Sequence, residues 1–340
     1  MLVSARSVAA AMWLRACSRR PIDASIHPAI SRALARPLAD TSNDVDLQAR
    51  CCYYLAYVVS HAGDFRHALD LTDHADALYA GLDRPWDQAA SWLFAARAAI
   101  SADDEKRGVA AVDNVQHWLR GVDDPWLHVR RDAILGELAR IQHRFDDAVV
   151  HLGGAAEASR RLGFRQTEAY QLSSLGRAHC QAGDYRAGAA TLELAIDKAE
   201  ATGDLRLAAL ARVHLGRVLR ALGHDSRARA TLETAAAWHR DAGGGEQAAL
   251  GECLLAAMDA ADRQPDAKDR LATILDDARD NGDAHVEVFA LDALARVAAD
   301  AGDIATARDL CERADRRMGA ASHFITDLDR TDAHSVRQIA

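Results

Sequence analysis

Leu175-Gly176-Arg177-Ala178-His179-Cys180-Gln181-Ala182-Gly183-Asp184-Tyr185-Arg186-Ala187-Gly188 is the stretch from which the fold can be read. Leu172, Leu175, Gly176 and His179 share one helical face. Past the turn, Ala187, Leu192, Ala195, Ile196 and Ala199 share another, at the three- and four-residue spacing of an amphipathic helix. Gly183-Asp184-Tyr185 turns the chain between them, glycine being the residue that ends a helix at least cost. The spacing predicts a helix over 169–182 and a second over 186–201. The pattern returns 40 residues later in Leu215-Gly216, Gly223, Ala228, Leu232 and Ala235. Further out, Gly63-Asp64-Phe65, Gly183-Asp184-Tyr185, Gly223-His224-Asp225 and Gly302-Asp303-Ile304 begin 120, 40 and 79 residues apart. Gly81, Gly121, Gly163, Gly203, Gly243 and Gly282 run in antiphase. Two helices per unit of about 40 residues, each closed by a glycine turn, account for both series.

Composition agrees with a helical array. Of the 340 residues 49% are hydrophobic but only 5% aromatic, so alanine and leucine must fill the core, as close-packed helix pairs require. Pro85 and Pro125 stand where helices would begin. The formal net charge of -9 argues against a general nucleic-acid binder, which needs a basic surface. No stretch is long and apolar enough for a transmembrane helix, and no membrane partner is expected. Cys17, Cys51, Cys52, Cys180, Cys253 and Cys311 form no CxxC pair and read as small buried residues of a reducing compartment, so the expected location is cytoplasmic.

Small residues recur where helices must approach closely: Gly136, Gly176 and Gly216 on first helices, and Ala68, Ala148, Gly188, Ala228, Ala267 and Ala307 on second helices. Ala75, Ala155, Ala195, Ala235 and Ala314 continue that second stripe seven residues on. With Leu175-Gly176, Gly183-Asp184-Tyr185, Gly188 and Ala195, this spacing resembles the tetratricopeptide repeat (TPR), lengthened by about six residues from the usual 34. The longer form resembles the repeat arms of bacterial signal-responsive transcription activators of the maltose-activator type, and the C-terminal arms of antibiotic-pathway regulators. Two units depart from the pattern: the one near Asp103 lacks its turn glycine, and the one near Arg263 has Gln264-Pro265.

The expected fold is all-α, a right-handed α-solenoid of TPR-like hairpins. Residues 45–320 form about seven repeats, 1–44 a degraded N-terminal helical unit, and 321–340 a polar tail. Arg6, Arg15, Arg19 and Arg20 around the apolar run 8–14 leave a weak targeting peptide as the other reading of the N-terminus. Val8, Met12 and Trp13, if exposed, would favour a homodimer or contact with an upstream domain.

Catalytic signatures are missing. There is no GxxxxGK[ST] loop, HExxH helix or GxSxG elbow, so neither an enzyme nor a cofactor is expected. His67, Asp70 and His74 fall at i, i+3 and i+7, but the apolar face of their helix lies elsewhere and they read as an outer stripe, not a metal site. The resemblance implies that first helices line a concave groove and that the residue after the Leu-Gly pair faces it. In successive units that residue is Tyr57, Arg97, Glu137, Arg177, Arg217, Ala257 and Arg296, with Arg140 and Arg220 one turn on. Trp92, near the groove face of its helix, is the tryptophan expected to contact the ligand. Tyr57, Trp92, Arg97, Arg140, Arg177, Arg217, Arg220 and Arg296 are therefore the candidate ligand-binding residues. A row of guanidinium groups suits an acidic peptide or protein segment. The competing account is that each arginine pairs with an Asp or Glu on the neighbouring helix.

Two functions follow: a non-enzymatic scaffold holding a protein or peptide segment in bacterial regulation, or an effector-sensing arm or truncated fragment of a larger transcription regulator, without its DNA-binding and nucleotide-binding domains.

Overall fold

The computed structural model describes residues 44–61, 64–102, 104–242 and 246–318. Among these fourteen α-helices form and no strand. The readings of the N-terminal unit up to residue 43, of Cys17, of the apolar Val8–Trp13 face and of the tail from residue 321 lie outside the described residues. No helix among those described is long and apolar enough to cross a membrane.

The chain divides into two compact units, Met1–Leu138 and Ala139–Ala340. In the first unit lie the hairpin α1 (Val45–His61) and α2 (Phe65–Tyr79), the hairpin α3 (Pro85–Ser101) and α4 (Glu105–Leu119), and most of α5 (Pro125–Ile141). The second unit holds the last turn of α5, then α6 (Phe145–Leu162). Four hairpins follow: α7 (Arg165–Gln181) with α8 (Tyr185–Ala201), α9 (Leu205–Ala221) with α10 (Asp225–Asp241), α11 (Glu246–Ala261) with α12 (Ala267–Asn281), and α13 (Ala284–Asp300) with α14 (Ile304–Met318). First helices also touch the next first helix: α1 meets α3 in the first unit, and α7, α9, α11 and α13 meet in series in the second. In the second unit α7, α9, α11 and α13 thus form a continuous layer of first helices on which column residues ride, and in the first unit α1 and α3 adjoin.

The Gly-Asp turn works in two halves. Gly183 takes a φ of 86°, the left-handed backbone that ends α7. Asp184 then accepts a hydrogen bond from Ala187 N at 3.0 Å and caps α8. Asp64, Asp104 and Asp204 cap α2, α4 and α9 in the same way. The expectation that every marker glycine closes a helix needs correction at Gly81 and Gly121, which carry no positive φ. Those turns are longer and lead into Pro85 and Pro125, so the chain reverses without a left-handed residue. Conversely, His143 and Arg263 adopt φ of 59° and 58° where other units use glycine, a conformation that costs a side chain about 1 kcal/mol.

Helix approach depends on the small residues. A Cβ on Gly176 would lie 2.7 Å from Leu192 Cγ, and one on Gly216 would lie 2.5 Å from Leu232 Cγ, so each leucine fills the space its partner glycine leaves. Both leucines are buried to 1% exposure or less. The largest core cluster runs through the second unit from Ala169 to Ala314. Cys51, Cys52, Cys180, Cys253 and Cys311 are buried free thiols; burial pushes Cys51, Cys180 and Cys253 up to about 12, which removes them as nucleophiles at neutral pH.

Candidate ligand-binding floor

In the second unit the first-helix layer gathers positive side chains. Arg177 stands on α7, and His214 and Arg217 lie one turn apart on α9. Arg217 Nη1 is 3.3 Å from His214 Nδ1, and its Cζ lies 5.3 Å from the Phe289 ring centroid, a cation–π contact with α13. The intervening helix α11 carries Ala257 at this register, a methyl group small enough to leave the reach open. His285 packs edge-on to Phe289 at 5.3 Å. Arg140, in the last turn of α5, is 2% exposed and donates from Nη1 to Gln181 Oε1 at 3.3 Å.

These groups feel one another. Burial, followed by Arg177, pulls Arg217 down to about 10. Burial, then Arg177, Arg217, His285 and Arg140, hold His214 well below the ordinary histidine range. Both side chains nonetheless keep partial contact with water, the combination expected on the floor of a groove. Like charges crowded with little solvent cost folding free energy, and an anion arriving there would recover it.

His214 makes the cost measurable. The folded state keeps its ring neutral while the unfolded chain protonates near pH 6.5, so below that pH the unfolded state binds the extra proton. Stability therefore falls as pH drops from about 7.5 to 5.5, by up to about 1.4 kcal/mol per pH unit for this group. His239, also depressed by burial and then Arg206, adds to the same trend. Melting temperature against pH should be flatter for His214→Gln than for wild type; parallel curves would remove His214 from this role.

The remaining sequence candidates divide. Arg220, half-buried on α9, and Asp292 of α13 both act on the Cys253 thiol, Arg220 lowering it and Asp292 raising it. Arg296 is spent on its own helix, where Nε meets both carboxylate oxygens of Asp300 at 3.0 and 3.1 Å. That carboxylate lies on its own helix, not on the neighbouring helix that the competing account expected. In the first unit Arg97 lies over Phe94 at 5.1 Å and donates to Ser60 Oγ at 3.3 Å, while its Nε is buried without a hydrogen-bond partner. Tyr53 and Tyr57 each meet the same Phe94 at 6.1 Å, so this stretch is an aromatic floor on which Arg97 lies.

Trp92 must be moved. It lines a cleft among α2, α3 and α4, beside Asp76, instead of facing the column. Its offset of five residues from Arg97 turns it about 140° around the helix. Trp86 and Trp126 stack at 5.8 Å and 19°, and Trp86 Nε1 donates to Asp124 Oδ2 at 2.9 Å, tying the starts of α3 and α5 together.

Sequence reasoning missed His214, His285, Phe289 and Phe94. The signal was present: His214 and Phe94 lie three residues before column arginines, and Phe289 lies seven before Arg296, on the same helix face.

No protein-family model matches this chain, and no curated protein sequence matches it. Solved structures do. One is the Rap conjugation gene regulator of the plasmid pLS20 in complex with the Phr* peptide, with a TM-score of 0.65 and 15% identity over 82% of this chain and 75% of that one. A second is aspartyl phosphate phosphatase F from Bacillus subtilis, with a TM-score of 0.64 and 12% identity over 87% and 77%. A third is a signal transduction ATPase with numerous domains from Pyrococcus horikoshii, carrying a tetratricopeptide repeat sensor, with a TM-score of 0.58 and 16% identity over 90% of this chain but 46% of that one. At such identities the fold is what is shared: an all-α, tetratricopeptide-like stack of helix hairpins.

Proposed function

We propose that this chain is a non-enzymatic regulatory scaffold that holds a carboxylate-bearing peptide or protein segment on the floor built by Arg140, Arg177 and Arg217. The observation that carries the reading is the burial of Arg217 and His214 beside Arg177, with Arg140 and His285 also acting on His214, which together depress both groups. A guanidinium pair presents the forked donors that grip a carboxylate, and Phe289 sets the orientation of one of them. The excess acid elsewhere on the chain does not oppose this, because a local cluster of basic groups beside low-dielectric walls focuses its own field. The peptide named in the plasmid regulator's complex supports the class of ligand on the same fold.

A second reading has one observation of its own: likeness to a protein with a tetratricopeptide sensor of which this chain spans less than half. In that reading the floor binds the effector of a larger signalling regulator, in line with the resemblance to maltose-activator-type arms. Either way we place the protein in the cytoplasm, where its buried thiols stay reduced.

The test is calorimetric titration with a short glutamate-rich peptide, beside its glutamine counterpart. Wild type should saturate with the acidic peptide, and Arg177→Ala/Arg217→Ala should weaken it about 10- to 100-fold, the loss expected for one or two charge-assisted hydrogen bonds. Equal binding by the double variant, or by the glutamine peptide, would overturn the proposal.

A further inference from the structure

The cleft that takes Trp92 away from the column has a chemistry opposite to the basic floor. It is an open cleft of about 370 Å³, lined by Asp76 and Ala80 at the end of α2, Gln88 and Trp92 of α3, and Asn114, His117 and Trp118 of α4. The rings of His117 and Trp118 stand 5.1 Å apart at 86°, so they form two adjacent walls of a box. The Trp92 indole N–H acts on the Asp76 carboxylate and lowers it, so that ring stands beside the acid as a third side. Gln88 is 2% exposed and gives the cleft a polar anchor below.

Among the described residues no lysine or arginine lines the cleft. The nearest carboxylate that Asp76 feels is Asp73, which Arg107 of α4 already engages at 2.5 Å. Burial raises Asp76, Trp92 lowers it through the hydrogen bond, and Asp73 raises it again, so no positive group among the described residues offsets its charge. A partly buried carboxylate walled by two indoles attracts a cation and repels an anion. A neutral apolar guest would leave Asp76, Gln88 and Asn114 desolvated without gain. Metal ligation is a poor match, since one carboxylate and one imidazole are too few ligands and indole is not one. A cation with a soft, weakly hydrated surface gains from aromatic faces as well as from the charge.

We propose that this cleft binds a small organic cation of the alkylammonium class, with Asp76 as counter-ion and Trp92 and Trp118 as π walls. The volume lies at the small end of the usual range for ligand sites, about 300–1,000 Å³, which fits a headgroup-sized cation. The site lies entirely in the first unit, so it stands or falls apart from the arginine floor.

Choline is the probe, titrated by calorimetry into the full chain beside its uncharged isostere, in which carbon replaces the ammonium nitrogen. Wild type should saturate with choline and not with the isostere. Asp76→Asn and Trp118→Leu should each weaken choline binding about tenfold or more, while Trp118→Phe, which keeps a π face, retains most of it. Circular dichroism and glutamate-peptide binding report whether each variant is folded. A wild type that does not saturate with choline overturns the proposal, as does equal binding of the isostere or undiminished binding by folded Asp76→Asn.

Discussion

Gly188→Ala is expected to destabilise the protein by about 1–3 kcal/mol, although alanine is the better helix former by about 1 kcal/mol. The new Cβ would lie 2.3 Å from Cys180 Sγ, 3.1 Å from Gly176 O and 3.3 Å from Cys180 N. The thiol can rotate to give some room; the two backbone atoms belong to α7 and move only if α7 and α8 separate. Cys180→Ala removes the closest of the three contacts, so adding it to Gly188→Ala should recover part of the loss. A double-mutant cycle read by urea denaturation should show a coupling of about 1 kcal/mol or more. Gly154 provides the opposite sign. It is exposed on α6, and a Cβ there would meet nothing within 4 Å, so Gly154→Ala should stabilise by about 1 kcal/mol. If both substitutions shift stability in the same direction, helix approach is not what holds Gly188 in place.

The second large effect separates stability from binding. Arg217→Met keeps an apolar stem against Phe289 but removes a guanidinium that burial and Arg177 have pulled down to about 10. Charging that group inside the fold costs on the order of a few kcal/mol, part of which its contacts with His214 and Phe289 return. The variant should melt at a higher temperature, with a gain of about 1 kcal/mol, and bind the glutamate peptide about tenfold or more weakly. Such opposition is the mark of a residue kept for its ligand at the expense of the fold. A variant both less stable and equally competent in binding would assign Arg217 a structural role.

The array was legible in the sequence because its determinants are local. Gly183 and Asp184 act within one turn, ending α7 and capping α8, and the alanine and glycine stripes reflect what two packed helices demand of every hairpin. Where the motif was broken the reading lost resolution: His143 and Arg263 reach the left-handed region without glycine, and Gly81 and Gly121 stand in turns that do not use it. The candidate site was legible only in part. The column placed Arg177 and Arg217 on one layer, but the same position on α13 gave Arg296, which Asp300 four residues on holds to its own helix. Trp92 was assigned to the wrong face because tryptophan fits either a groove or a cleft, and only the packing of α3 against α2 and α4 distinguishes them.

The sequence by itself determined the helix pairs, their turns and the register of the small residues, since each depends on neighbours a few positions away and recurs with the period of the repeat. Only the tertiary structure decided which arginines share one floor, that Phe289 reaches Arg217 across α11, and that an acid and two tryptophans close a separate cleft. Those outcomes depend on side chains from helices tens of residues apart. Their charges and volumes act through space, and no periodicity along the chain records that.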